Sequence, residues 1–316
     1  MKAFLKKTPM PIVGLMLACA ALGNLVQTYG EVYRNIMGII TLVLFIGTTI
    51  KFVCDMPGLK AELDNPVAAS VFPTYSMGIM LLATYVKPYN FIVSYIIWIV
   101  GILLHMILIV IFSMKFVKNF NMKKVFPSWF IVYVGIAVAS VTGKVFNQTI
   151  GQVALLFAII AYFILIPIVA KRIFIVKEIP EPALPTLVIF AAPGSLCLAG
   201  YLNIFEYKNF VVVLILLVLS QGFYLFALSK LVNLLRIKFY PSYSAFTFPL
   251  VISALALKLS NNFLVSQGIT SPILIVLVKI EEILAVLIVF YVLMRYLEHL
   301  IPYENLKGNK LSKEKI

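Results

Sequence analysis

Residues that commonly make and break bonds are few in this chain, and none is spaced for it. Among 316 residues there are 2 histidines, 3 cysteines and 12 acidic side chains. Cys19, Cys54 and Cys197 sit far apart in apolar runs, which gives neither a metal-ligand spacing nor a disulfide framework. His105 falls in the middle of an apolar stretch, where a lone histidine is more often a packed residue than a proton relay. Glu281 and Glu282 share an apolar run with Lys279, which lies three residues before Glu282 on the same helical face, so a local ion pair accounts for them. An enzyme needs a nucleophile with an acid or base beside it, or a metal cluster. No such set is visible, so no catalytic residue, metal or cofactor is expected.

What remains are residues that shape a path. Phe248-Pro249 and Phe72-Pro73 each put an aromatic ring before a proline inside an apolar segment, and Gly135 and Pro193 interrupt two more. A proline within a helix weakens the backbone and can turn the preceding side chain inward, and a ring in a narrow pore would block it. The plain alternative is a phenylalanine facing lipid or core, one of 24 in the chain. The same segments carry the small hydroxyls Ser140, Ser195 and Ser253. Lys144 and Lys258 stand near their far ends, with Lys87 just beyond a third. These lysines either set a basic outer mouth or simply snorkel to an interface.

Such residues act only if long helices hold them at one depth. Of the chain, 62% is hydrophobic and 12% charged, with a mean hydropathy of +1.05. Soluble chains are about half apolar and about a quarter charged, so a soluble enzyme and a disordered chain are both excluded. Ten apolar runs fall at 11–29, 34–54, 68–86, 91–115, 127–144, 148–171, 185–204, 210–235, 241–260 and 272–298. In lipid each must be helical, because unpaired backbone groups are not tolerated there. Continuous apolar runs exclude a barrel, whose strands alternate. The expectation is an all-α polytopic membrane protein of one domain, residues 1–316, with a short N-terminus (1–10) and a short basic tail (299–316). Met16-Leu17-Ala18-Cys19 loosely resembles a lipoprotein cleavage box, but cleavage there would delete one unit of the repeat described next.

Net charge is +14. With both termini inside, 20 Lys and Arg fall in inner loops and 5 outside, namely Arg34, Lys87, Lys144, Lys208 and Lys258. This asymmetry puts both termini in the cytoplasm and explains the charge without nucleic acid. The odd-numbered helices each start near a proline: Pro9, Pro66, Pro127, Pro185 and Pro241, at intervals of 57, 61, 58 and 56 residues. One hairpin is therefore repeated five times. Pro73, Gly135, Pro193 and Pro249 recur 7 or 8 residues further on, and the first helix has Met16 or Leu17 there instead. Gly, Ala and Ser number 30 in 96 residues of the odd helices and 15 in 123 of the even ones. Small residues let membrane helices approach closely. The architecture expected is an inner ring of five odd helices, parallel to one another around a central space, inside an outer ring of five even ones. The alternative is a packed bundle with no conduit. Within the bounds given, the odd helices hold no Asp or Glu, which favours anions over cations and removes the carboxylates that coupled carriers usually need. Phe248 would lie roughly 10 Å into its helix, at 1.5 Å per residue from Pro241.

The stretch Tyr243-Ser244-Ala245-Phe246-Thr247-Phe248-Pro249-Leu250 resembles the ninth helix of the tellurite-resistance/dicarboxylate transporter family. That family includes plant guard-cell slow anion channels and the bacterial tellurite-resistance protein. Asn65-Pro66, Pro127-Ser128 and Ala192-Pro193 match in order, and the resemblance covers residues 10 to 298. It implies a homotrimer of ten-helix protomers, each with its own pore, occluded by a phenylalanine that corresponds to Phe248. It also implies transport of small monovalent anions, such as chloride or nitrate, or of malate and related C4-dicarboxylates. The first helix lacks the expected proline near Met16. The long terminal extensions on which kinases act in plants are missing, so the same phosphorylation gating is not expected. The sequence thus points to an anion channel or channel-like uniporter in the cell (inner or plasma) membrane, without enzyme activity. The alternative is a C4-dicarboxylate or other oxyanion carrier or exporter.

Overall fold

The structure is a computed structural model and describes residues 7–301. Most of the tail at 299–316 and the first six residues of the N-terminal segment, with Lys2 and Lys6, lie outside the described residues. All regular structure among the described residues is helical. The principal elements are α1 (Ile12–Tyr29), α2 (Glu31–Cys54), α3 (Pro66–Val86), α4 (Phe91–Val117), α5 (Trp129–Phe146), α6 (Gln148–Val176), α7 (Glu181–Ile204), α8 (Phe210–Leu234) and α9 (Pro241–Ser266). Each of these nine is long and apolar enough to cross a membrane. A further helix, α10 (Pro272–Leu300), carries Lys279, Glu281 and Glu282 in its first half. The elements follow the apolar runs with small shifts. α7 starts four residues early, because Pro182 and Pro185 open it as a tight 3-10 stretch over Glu181–Phe190. The start of α7 therefore does contain an acid, Glu181, at its surface end.

The hairpins are closed by short, capped turns. Only Asn147 separates α5 from α6, and its side chain accepts a hydrogen bond from the Ile150 amide at 3.0 Å. Asn90 does the same for α4 at Val93 (3.0 Å) and Asn209 for α8 at Val211 (2.9 Å). Each cap satisfies an amide that a helix start leaves without a partner. Such turns force sequential helices to lie side by side and antiparallel.

Burial separates the two helix sets. Between 61% and 83% of the apolar window is buried in α1, α3, α5, α7 and α9, against 28% to 33% in α2, α4, α6 and α8. Among the odd helices, α1 packs on α3, α3 on α5, α5 on α7, α7 on α9, and α9 back on α1. Each even helix rests against its own odd partner and the next odd helix along. Small residues set the seams. A Cβ on Gly143 of α5 would meet Gly151 Cα of α6 at 3.1 Å, and one on Gly14 of α1 would meet Ser244 of α9 at 3.1 Å. A Cβ on Gly200 of α7 would collide with the Ser140 hydroxyl of α5.

Four of the five odd helices are built in two pieces. α3 turns at Phe72-Pro73 and resumes at Thr74. α5 tightens into a 3-10 turn over Gly135–Ala137. α7 and α9 begin as 3-10 stretches and become α-helical at Ala191 and Thr247. Pro193 and Pro249 each occupy the third position of that second piece, and Pro73 immediately precedes its own. A first-turn amide has no intrahelical partner to lose, so proline is accommodated there. α1 has no break between Ile12 and Val26.

Gly200→Ala overpacks the α5–α7 seam and is expected to cost about 1–3 kcal/mol. Gly222 on α8 faces open space, so Gly222→Ala should hold or raise stability, alanine being the better helix former by about 1 kcal/mol. Melting temperatures of the detergent-purified variants check both signs; equal losses would contradict the packing.

Candidate functional site

The breaks fall around a small cavity of about 40 Å³ at the centre of the odd helices. Gly14, Thr74, Gly135, Pro193 and Pro249 contribute to its wall, one from each of the five. Apart from Thr74 and Ser244 its lining side chains are apolar, and the Thr74 hydroxyl donates to the Val71 carbonyl at 2.8 Å. A second cavity of about 390 Å³ lies towards the C-terminal ends of the same helices. It carries more polar groups than the first: Asn24, Gln27, Thr84, Thr142 and Asn203 line it, together with Arg34 and Lys87, among apolar side chains. Leu196 of α7 and Phe248 of α9 line both cavities, and among the described residues no other side chain does. Phe248 is 7% exposed and Leu196 2%.

The structure thus brings Phe248, Pro249, Pro193 and Gly135 together around one cavity. Other residues singled out in the sequence stand elsewhere. Phe72 does not reach the cavity: its ring packs edge-on to Phe52 of α2 at 5.2 Å and stacks near Tyr75 at 6.0 Å. Pro73 bends α3 beside it without lining either space. The three serines turn away as well. Ser140 donates to Ala137 O at 2.6 Å and faces Gly200. Ser195 donates to Ala191 O at 2.6 Å and meets Ser220 of α8 at 2.8 Å. Ser253 lies beside Glu281 of α10. Each of these small hydroxyls serves a helix–helix seam, and two satisfy their own helix's carbonyls.

The basic residues also divide. Lys87 lines the larger cavity. Lys144 is exposed and lines neither. Lys258 points between α1 and α10, where its ammonium donates to Glu282 Oε1 at 2.7 Å, Thr28 Oγ1 at 2.8 Å and the Leu25 carbonyl at 3.2 Å. Glu282 also pairs with Lys279 at 3.5 Å and takes a hydrogen bond from Tyr29. The expected Lys279–Glu282 pair is therefore present, and Lys258 is the closer partner. His105 is buried with both ring nitrogens engaged, by Ser76 Oγ at 2.8 Å and Val132 O at 3.1 Å.

Two cavity-lining positions were not foreseen. Leu196 has nothing in its type or spacing to distinguish it from other leucines. Arg34 was readable in principle, but it starts an even helix and enters the cavity through the α1–α3 seam, so a search of the inner helices passes it by.

A helical, multi-pass membrane protein with two cavities that share Leu196 and Phe248 is the class that this arrangement defines. The SLAC1 family model, described as a voltage-dependent anion channel, matches residues 9–297. The chain belongs to that family, whose members are anion channels and transporters. Among curated proteins, no sequence matches it.

Glu282→Gln would leave the Lys258 ammonium, 18% exposed, without its carboxylate. Breaking such a pair by removing one partner costs about 3–5 kcal/mol, whereas replacing both partners by apolar groups is close to neutral. Melting temperatures should therefore fall strongly in Glu282→Gln and recover in the Lys258→Met, Glu282→Met double variant.

Proposed function

We propose that the protein is an anion channel or channel-like uniporter that passes small monovalent anions, chloride or nitrate, through a pore inside each protomer. In this reading ten helices cross the membrane, α10 included. α1, α3, α5, α7 and α9 form an inner ring around the pore and the even helices an outer one. The closed succession of odd-helix contacts supports the ring. The observation that carries the reading is that Phe248 and Leu196 alone are shared by two cavities on either side of them. Phe248 is then the gate, and Pro249 and Pro193 hold the backbone that positions it. Neither cavity is lined by an Asp or Glu among the described residues, while Arg34 and Lys87 stand in the larger one. Cation pathways use carboxylates, so this balance favours anions. The sparse polarity of the smaller cavity suits conduction, which requires that an ion leave as easily as it enters.

The excess of basic residues in alternate loops supports a cell membrane protein with both termini in the cytoplasm, so that the larger cavity opens outward. The family resemblance supports a homotrimer. A second reading, a carrier for C4-dicarboxylates or another oxyanion, draws support from Arg34 and Lys87 in one cavity, since a divalent substrate calls for two basic contacts. No basic residue lines the smaller cavity, which counts against it.

Planar-bilayer currents across a potassium chloride gradient test the proposal. Phe248→Ala should raise the current at least about tenfold over wild type, a barrier change of about 1.4 kcal/mol, with reversal near the chloride equilibrium potential. Silence of both proteins, combined with saturable malate counterflow in liposomes, would replace the channel by the carrier.

A further inference from the structure

The guanidinium of Arg34 is fixed in place more firmly than a surface arginine needs to be. Its Nε donates to Asn24 Oδ1 of α1 at 3.1 Å, and its Nη2 donates to the Thr84 carbonyl of α3 at 2.8 Å. The group lies 4.5 Å over the centre of the Tyr85 ring, and its side chain is 11% exposed. The ring is itself seated: Tyr85 donates its hydroxyl to Ala20 O at 2.7 Å. Gly23 and Gly38 leave the space it occupies, since a Cβ at Gly38 would stand 2.7 Å from the ring and one at Gly23 would collide with the hydroxyl. The one acid nearby, Glu31, is 3.8 Å away and 63% exposed, and it accepts from Gln27 at 2.7 Å. Arginine carries five N–H donors in a flat fork. The contacts to Asn24 and Thr84 use two of them, which leaves three: two on Nη1, the nitrogen nearer Glu31, and one on Nη2, in a residue that lines the larger cavity together with Lys87.

We propose that Arg34, backed by Lys87, is an anion-binding site in the larger cavity that selects planar monovalent oxyanions, nitrate or a small carboxylate, over spherical halide. A flat fork places two parallel N–H donors on two oxygens of one anion, a match that a point charge or a round ligand does not reproduce. The fixed seat means that little side-chain freedom is lost on binding. Lys87 adds field without geometry. The site stands one step beyond the Leu196–Phe248 septum and captures the anion before it reaches the gate. The proposal rests on the channel reading for its role but not for its test.

The test is the melting temperature of the purified full-length chain, titrated with sodium nitrate, sodium formate or sodium chloride at constant ionic strength. A ligand that binds only the folded protein raises its melting temperature saturably. Nitrate should do so at a lower half-effect concentration than chloride. Arg34→Gln and the charge-preserving Arg34→Lys should both raise that concentration about tenfold, the loss of one good charge-assisted contact. Lys87→Gln should raise it for all anions alike. Formate acting like nitrate identifies a carboxylate-accepting site, and nitrate acting without formate an inorganic one; both support the proposal. An unchanged nitrate response in Arg34→Gln or Arg34→Lys, or chloride binding as tightly as nitrate, would overturn it. Current through Phe248→Ala with no nitrate-specific shift sinks the site and keeps the channel. A nitrate shift lost in the Arg34 variants, beside a silent Phe248→Ala, does the reverse.

Discussion

A peptide group inside a bilayer has no water to fall back on, and the whole arrangement depends on that constraint. Each N–H and C=O must find a partner within its own helix or face a cavity. Three of the more buried, odd-numbered helices nevertheless carry proline within their length. The conflict is resolved by dividing those helices in two: the second piece starts one residue after Pro73, and two residues before Pro193 and Pro249. Each proline ring then stands at the cap or in the first turn of its second piece, where no hydrogen bond is forfeited. The division turns the α-helix into a tighter 3-10 stretch in α7 and α9 and places both breaks against one central space. The cavity thus follows from how proline is tolerated in lipid.

Charge is distributed by the same economy. Lys258 and Glu282 neutralise one another where α9, α1 and α10 meet, which is the seam that brings the last odd helix back onto the first. Glu62 ties the other end of α1 in a similar way, pairing with Lys51 of α2 at 2.9 Å while it accepts from the Met10 amide at 3.2 Å. These acids are spent on holding seams together. The cavity lining is left with basic and neutral groups only, so its sign is set by what the packing has used up as much as by what projects into it.

Much of this was legible in the sequence, for identifiable reasons. The five prolines at near-constant spacing announce the repeat, and the small-residue bias separates buried from lipid-facing helices because close backbone approach admits little else. Phe248, Pro249, Pro193 and Gly135, which recur at similar offsets from their helix starts, line one cavity. The serines did not, because a hydroxyl on a helix can turn to any seam and spacing alone does not fix which. Phe72 shares its dipeptide with Phe248, yet its ring points outward to Phe52: a proline bends the chain but does not choose the direction. Lys258 and Arg34 show the same limit for long side chains. Lys258 starts on an odd-numbered helix and stays out of the cavity, while Arg34 starts on an even-numbered one and lines it.

The central claim is that one aromatic septum divides a continuous path. Site-directed labelling in a Cys54→Ser background tests it most directly, since Cys19 and Cys197 are buried and Cys54 is exposed. Ser244→Cys lines the smaller cavity and Asn203→Cys the larger one. With Phe248 in place, a charged, membrane-impermeant thiol reagent should reach the first from one side of a proteoliposome only, and the second from the other side only. With Phe248→Ala, either cysteine should become reachable from both sides. Labelling of both positions from the same side with Phe248 present, or no change on its removal, would contradict the account.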